Sequence, residues 1–539
     1  MSKQDTPGGQ ASPQAASRPN IVLILVDDMG YSDIGCFGSE IDTPNLDRLA
    51  QSGVRFSQMY NCARCCPTRA SLLTGLYPHQ AGVGHMVGNH GYAEYQGFLR
   101  DDCVTLAEAL RPCGYRTLMS GKWHVGGAYQ ANQPDSWAPG SAGHPLPVQR
   151  GFDEHYGMLG GGGSYFNPPY MVRDDRLIRV GGEGYYLTDA ISAEAVRMIE
   201  QASDGDQPFL LYVAYTAPHW PLHAPEDDIE RYRGRYRLKG WDGVRKARYE
   251  RLQSAGLLDP GWSLSPRDTA APAWNAVAEK DWEDLRMAVY AAQVDRMDQG
   301  VGRIMDALER QGIGDDTLVM FLSDNGGCAE FLAEDSNRKE PFRYDIPTPD
   351  GRPMRLGNTP SIQPGPDDTF ASYDLPWANA SNTPFRLYKH WVHEGGITTP
   401  LLVQWPGGGL APGIVHRPSH VIDIMATCLE VAGARYPAER DGITVTPLEG
   451  ESLVPLLRGR DQARVQPLFW EHEGNCALRD GEWKLVKRHP EGWELYNMER
   501  DRTELEDMAA REPDRVKRMS AEYRRRAAAY GVRDWPLRR

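Results

Sequence analysis

What the chain lacks narrows its function first. It has no apolar run near the N-terminus fit to cross a bilayer: Ile21–Val26 is six residues long, where a spanning helix takes about 20. Met1–Pro19 is polar and rich in Gln, Ser, Pro and Ala, with no basic stretch leading into an apolar one. It reads as a disordered tail, residues 1–18, rather than a secretory signal. Nine cysteines, an odd number and widely scattered, make a poor disulfide framework. The expected setting is therefore reducing and cytoplasmic. An excess of positive charge is also missing. With 59 Lys and Arg against 73 Asp and Glu, the net charge is −14, which speaks against general nucleic-acid binding. An anion site would have to bring its own cluster of Lys, Arg and His.

What is present is ordinary for a globular protein, with 40% hydrophobic and 24% charged residues. A chain of 539 residues exceeds the needs of one core. Ile21–Val26 is a continuous aliphatic run of the kind found in buried parallel strands. Further strands read at Thr117–Ser120, Phe209–Tyr215, Leu318–Ser323 and Leu401–Gln404. Helical patterns lie at Asn45–Gln51, Leu106–Arg111, Ala190–Ala202, Trp282–Arg310 and His420–Val431. This alternation predicts an α/β domain over 19–460 with a mostly parallel central sheet, whose ligands would sit at the carboxyl ends of the strands. Residues 226–276 and 329–382 read as long loop insertions. After Asp461 come short strand-like runs at Leu468–Glu471, Cys476–Leu478, Trp483–Val486 and Trp493–Tyr496, then a charged helix, Pro513–Tyr530. They predict a small antiparallel sheet and helix, a C-terminal subdomain over 461–539.

Chemistry-bearing residues collect near the predicted strand ends. Cys65-Cys66-Pro67-Thr68-Arg69 leads into Leu73-Thr74-Gly75. Pro67 suits a first helical turn, which places Cys65 beside a helix N-terminus, where an anion is favoured. Arg69, one turn on, can face the same point. Asp27 and Asp28 follow the first strand, and Asp324 and Asn325 follow Leu318–Leu322. Together they offer three carboxylates and an amide oxygen, a set suited to a hard cation such as Ca²⁺ or Mg²⁺. Lys122 and His124 follow Thr117–Ser120, His219 follows Phe209–Tyr215, and Lys389 lies in Arg386-Leu387-Tyr388-Lys389.

The Cys-x-Pro-x-Arg run with its downstream Leu-Thr-Gly resembles the signature of formylglycine-dependent type I sulfatases. The resemblance extends from Pro19 to about Ala509 and is nearest to bacterial arylsulfatases. It implies an alkaline-phosphatase-like fold and oxidation of Cys65 to Cα-formylglycine by a transient partner, a formylglycine-generating enzyme. It implies one bound ion, Ca²⁺ ahead of Mg²⁺ or Mn²⁺, on Asp27, Asp28, Asp324, Asn325 and the modified Cys65. The implied activity is hydrolysis of small-molecule sulfate esters, with aryl sulfates favoured over alkyl or sugar sulfates. A formylglycine-hydrate hydroxyl attacks sulfur with Asp324 as base. Arg69, Lys122 and Lys389 polarise the sulfuryl oxygens, and His219 protonates the leaving alcohol. His124 then drives sulfate out of the sulfated hemiacetal. Asn at position 325, where two-metal relatives carry His, disfavours a pair of zinc-like ions.

Two other readings are a phosphonate monoester or phosphodiester hydrolase with the same apparatus, and a non-catalytic anion-binding protein if Cys65 stays a thiol. Cys36, Cys62, Cys66, Cys103, Cys113, Cys328, Cys428 and Cys476 read as plain thiols, and Arg524–Arg526 as a solvated helix face. Trp220 and the arginines 231, 233 and 235 look arylsulfatase-like, while Tyr373, Trp377 and Phe385 are candidates for an aromatic wall. No membrane or nucleic-acid partner is expected.

Overall fold

The computed structural model describes residues 18–334 and 344–537. The expected tail lies outside the described residues except for Arg18, and so does 335–343 of the second insertion. The central sheet has eleven strands. From one edge they run Gly413–Val415, Val54–Tyr60, Thr398–Gln404, Thr317–Ser323, Asn20–Val26, Phe209–Ala214, Arg116–Gly121, Glu154–Met158, Met171–Arg173 and Arg176–Leu177, with Ser419–His420 pairing beside Val54–Tyr60. Asn20–Val26 pairs in parallel with both its neighbours, whereas Thr398–Gln404 is antiparallel to both of its own.

Helices Pro44–Ser52, Leu187–Ala202 and the 31-residue Lys280–Arg310 pack as one group. Cys65–Thr74, Leu106–Leu110 and Asp423–Ala432 pack as another. Every residue of Asn20–Val26 is buried, which is why its sequence is an unbroken aliphatic run rather than an alternating one. The five predicted strands are all present, with ends within three residues of expectation. Val54–Tyr60 and Glu154–Met158 are strands that the sequence did not disclose. Helix Asp423–Ala432 begins three residues later than its apolar pattern, because His420 is drawn into the sheet beside Tyr60 and donates its N–H to the Asp423 carboxylate at 2.8 Å. The insertions are not irregular throughout: the first holds helices Glu226–Glu230 and Gly240–Ser254, the second helix Asp374–Ser381.

The C-terminal strands Leu468–His472, Asn475–Asp480, Trp483–Lys487 and Trp493–Asn497 form an antiparallel meander in chain order. Side-chain alternation divides its two faces. Phe469, Leu478, Leu485 and Leu495 pack under Met519 and Tyr523 of helix Pro513–Tyr530. Leu468, Trp470, Ala477, Val486 and Tyr496 pack against Tyr60, Val392 and Ile397 of the large sheet region. Arg526 of that helix is buried and donates to Gln466 at 2.9 Å, so only part of the Arg524–Arg526 run is solvated. Among the described residues no helix is long and apolar enough to cross a membrane.

Candidate active site

The edge of the sheet formed by the carboxyl ends of the parallel strands gathers the predicted residues. Asn20–Val26 delivers Asp27 and Asp28, Thr317–Ser323 delivers Asp324 and Asn325, Arg116–Gly121 delivers Lys122 and His124, and Phe209–Ala214 delivers His219. Val54–Tyr60 runs the same way and feeds helix Cys65–Thr74, with Cys65 at its first position and buried. The antiparallel strand Thr398–Gln404 starts at this edge, so the loop before it brings Lys389 in. Asp28 and His124 hold left-handed backbone, φ 65° and 57°, a strain that persists where the surroundings over-determine a site.

The oxygen donors form one connected cluster. Asn325 Nδ2 donates to Asp28 Oδ1 at 2.7 Å, and the Asp28 N–H donates to Asp324 Oδ1 at 3.2 Å. Arg69 bridges Asp324 Oδ2 at 2.8 Å and Asp27 Oδ2 at 3.4 Å. Lys122 Nζ pairs with Asp27 Oδ2, and Lys389 Nζ stands 2.8 Å from both Asp28 oxygens. Asp27 Oδ1 and Asn325 Oδ1 are buried with no partner among the described residues. Such oxygens are costly unless something cationic or hydrogen-donating meets them. Burial and the adjacent Asp27 carboxylate push Asp324 well above the ordinary carboxylate range despite Arg69. Burial also acts on Asp27, but the charges of Lys122, His219 and Arg69 overcome it and hold this carboxyl below that range. All four donors offer oxygen, so the set fits a hard divalent cation, which would also hold Asp324 ionised.

The proton-transfer candidates are equally constrained. Burial, reinforced by the Lys122 charge, holds the His124 imidazole down at about 4. Burial also lowers His219, with Asp28 pulling the other way. His219 Nδ1 lies 2.6 Å from the Trp220 carbonyl, which can only accept, so the neutral ring carries its proton on Nδ1 and turns a bare Nε2 toward Asp28 Oδ2 at 3.5 Å. A hydrogen bond from the Cys66 thiol, with the charges of Lys122 and Lys389, draws the Cys65 thiol well below its usual range against burial.

Several contributors escaped sequence reasoning. Cys66 Sγ contacts the His124 ring at 3.2 Å. Gly161 and Gly162 lie over the two histidines: a Cβ on the first would stand 2.7 Å from His124 Nε2, and on the second 3.2 Å from His219 Cε1. The four-glycine run 160–163 was the available signal. At the rim, Glu330 accepts from Trp220 Nε1 at 2.9 Å and pairs with Arg64 at 2.9 Å. At the rim Trp220 has Tyr344 and Phe370 as ring neighbours, with centroids 5.7–5.8 Å apart, and these two are buried in the core. Trp377 is also core, packed on Tyr236, Trp241 and Trp274, and Phe385 packs on Tyr31. Tyr373 stacks on Tyr290 at 4.3 Å and lines a small cavity beside Asp28 and Trp220. Arg231, Arg233 and Arg235 pair with Asp295, Glu226 and Asp42. His393 is buried near Glu494, and His390 faces Glu473, so neither joins the catalytic cluster.

Comparison with known proteins follows the same line. The sulfatase family model matches residues 19–434, and a second, the C-terminal region of N-sulphoglucosamine sulphohydrolase, matches 385–526. An uncharacterized sulfatase of Schizosaccharomyces pombe is 33% identical, covering 93% of this chain and 91% of its own length. An arylsulfatase of Klebsiella aerogenes is 33% identical, covering 85% of this chain and 96% of itself. A solved structure titled Ps i-CgsB in complex with k-i-k-neocarrahexaose superposes with a TM-score of 0.66 at 27% identity, over 94% of this chain and 92% of that one. The fold also resembles that of the phosphonate monoester hydrolase of Agrobacterium radiobacter, TM-score 0.56 at 21% identity, over 95% and 96% of the two chains. With its strand-end cluster and a family match spanning most of its length, this chain belongs to the sulfatase family.

Proposed function

We propose that the chain is a sulfuric ester hydrolase of the arylsulfatase type, with Cys65 as a formylglycine precursor. The observation that carries this is the buried oxygen cluster paired to three buried cations, Arg69, Lys122 and Lys389, next to a buried Cys65 at a helix N-terminus. Aryl sulfates are favoured by Trp220 and Tyr373, which line a small cavity with Asp28, and by the likeness to the Klebsiella arylsulfatase.

Asp27, Asp28, Asp324 and Asn325 would hold Ca²⁺, whose charge stabilises that developing on sulfuryl oxygens. The Cys65 Sγ marks the place of the formylglycine oxygens, and a hydrated aldehyde supplies both a nucleophilic hydroxyl and a second one for releasing the product. The side chains do the rest. Arg69 and Lys122 hold two neighbouring carboxylates while keeping their charge toward the ester, and Lys389 does the same through Asp28. His219 presents a proton at Nε2 only as the imidazolium, which Asp28 beside it favours and which suits protonation of the leaving oxygen. His124, kept neutral by burial, suits proton removal. Asp324 suits activation of the attacking hydroxyl once it is ionised. The free thiols throughout the chain fit a reducing compartment such as the cytoplasm, where an aerobic formylglycine-generating enzyme is the partner required.

The test is the mass of the peptide spanning Cys65 after expression with such an enzyme, since oxidation exchanges a sulfur and two hydrogens for one oxygen. It is paired with rates on an aryl sulfate and an aryl phosphonate sharing one leaving group. Conversion with faster sulfate cleavage supports the proposal. An unconverted Cys65, when a control sulfatase is converted, overturns it, and faster phosphonate cleavage moves the chain to the phosphonate class.

A further inference from the structure

A second cluster of donors lies beside the catalytic one and takes no part in it. His85 comes from the loop after helix Cys65–Thr74, His390 from the loop before strand Thr398–Gln404, and His472 and Glu473 from the hairpin between strands Leu468–His472 and Asn475–Asp480. Glu473 is at the centre. Its Oε1 stands 3.3 Å from His85 Nδ1 and 3.7 Å from His472 Nε2, and its Oε2 stands 3.0 Å from His390 Nδ1. Donor atoms of His85, His472 and Glu473 all fall within 4.8 Å of one another. Bonds of about 2.0–2.1 Å in a tetrahedral zinc site put ligand atoms about 3.3 Å apart, and the observed separations bracket that value.

Ordinary hydrogen bonding does not account for these groups. His472 is fully buried, and neither ring nitrogen has a hydrogen-bond partner among the described residues, although a neutral imidazole carries one N–H that needs an acceptor. His85 Nδ1 is likewise buried without one. His390 stands behind this set: its Nε2 accepts from Asn475 Nδ2 at 3.5 Å, so its Nδ1 carries the ring proton and donates toward Glu473 Oε2 at 3.0 Å, steadying the carboxylate. Two nitrogens and one carboxylate also differ in kind from the all-oxygen set at Asp27. They select a borderline transition metal over Ca²⁺.

We propose that His85, His472 and Glu473, with His390 holding the Glu473 carboxylate from behind, form a second metal site for a Zn²⁺-like ion. The ion and His390 would tie the C-terminal hairpin to two loops that border the catalytic pocket, since Met86 touches Arg64 and Cys66 at 3.4 and 3.7 Å and His390 follows Lys389. The proposal is independent of the formylglycine reading, because it needs no conversion of Cys65.

The test uses the full chain, stripped with chelator and titrated with Zn²⁺ by calorimetry and with Co²⁺ by visible absorption, followed by thermal denaturation. The expected result is one equivalent bound, tetrahedral Co²⁺ bands, and a Tm raised by that equivalent. Two partly exposed ligands are replaced singly, His85→Gln and Glu473→Gln, with circular dichroism confirming the fold. Each is expected to weaken Zn²⁺ binding at least about tenfold and to abolish the Co²⁺ bands, while Asp27→Asn keeps both. No Zn²⁺ uptake by the wild type, or uptake lost in Asp27→Asn and kept in folded His85→Gln and Glu473→Gln, overturns the proposal.

Discussion

Gly161 lies against His124, leaving no room for even a methyl group: a Cβ there would stand 2.7 Å from the imidazole Nε2. Its backbone is not in the left-handed region, so alanine is excluded by the histidine rather than by φ. Gly161→Ala should displace the ring and lower kcat/KM by roughly 10–100-fold with the fold intact, since misplacing a reacting group by about 1 Å costs that much. Gly162→Ala, with 3.2 Å to His219 Cε1, should do less. Steady-state kinetics on an aryl sulfate, with thermal denaturation as control, decide this, and equal activity in Gly161→Ala would show that His124 needs no fixed position.

Asp27 Oδ1 and Asn325 Oδ1 are buried oxygens without a partner among the described residues. If they are cation ligands, Asp27→Asn and Asn325→Ala should weaken Ca²⁺ binding by more than about tenfold, the lower bound seen even for groups behind the ligands. Activity should fall with it and return in part at high Ca²⁺. Calorimetric titration of the chelated protein provides the check.

Lys389 holds Asp28 from a loop rather than from the parallel sheet. Lys389→Ala should lower kcat by about 10²–10³-fold, as removal of a charge-stabilising donor does elsewhere, with a smaller effect on KM. A rise in KM alone would make it a binding residue.

Stability should fall as the solution is acidified. Burial lowers His155 and His223 to about 4 and His420 well below the usual histidine range. Between the unfolded value near 6.5 and about 4, the unfolded chain therefore takes up protons that the folded chain refuses, and stability drops with pH. Asp298, raised to about 6 by burial, works in the opposite direction over much of this window. Each lowered histidine contributes up to about 1.4 kcal/mol per pH unit across this window, and each raised carboxyl offsets as much. Denaturant melts at pH 7, 6 and 5 measure the slope, and a flat profile would contradict it.

Glu394 is fully buried and accepts from Lys484 at 2.8 Å, Arg502 at 3.1 Å and Tyr60 at 2.9 Å. Burial works against its charge, but Lys484 and Arg502 bring it to about 2. Glu394→Ala would leave two buried cations without this partner and should destabilise by about 3–5 kcal/mol. The C-terminal sheet, which carries Lys484, should become the first region to exchange its amide hydrogens. Glu394→Gln, which keeps an acceptor, should be milder.

Much of this was legible in the chain itself, for local reasons. Asn20–Val26 is covered on both faces, so its burial is written as an aliphatic run, and the acids after it fall at a strand end by position alone. Cys65, Pro67 and Arg69 announce a helix start because proline and the one-turn spacing act within that helix. Val54–Tyr60 was not legible. It carries Arg55, Ser57 and Gln58 near the sheet edge, where Ser57 and Gln58 meet His416, and polar partners distant in sequence break the pattern. Of the aromatics expected to form a wall, Tyr373 lines the cavity beside Asp28, while Trp377 and Phe385 are core because their neighbours are other interior rings.

The sequence by itself determined the α/β class, the strand ends and the residue types that could hold a cation, bind an anion and move protons. These follow from periodicity and from side-chain chemistry, which need no partner. Only the tertiary structure decided which charges neutralise which. The strand order puts Asp27 beside Lys122 and Arg69, and Asp28 beside Lys389 and His219, across separations of up to about 360 residues in the chain. It also brought His85, His390 and His472 around Glu473. Electrostatic pairing and ligation act through a few ångströms of space, and sequence spacing holds no record of that distance once the chain has crossed the sheet and returned.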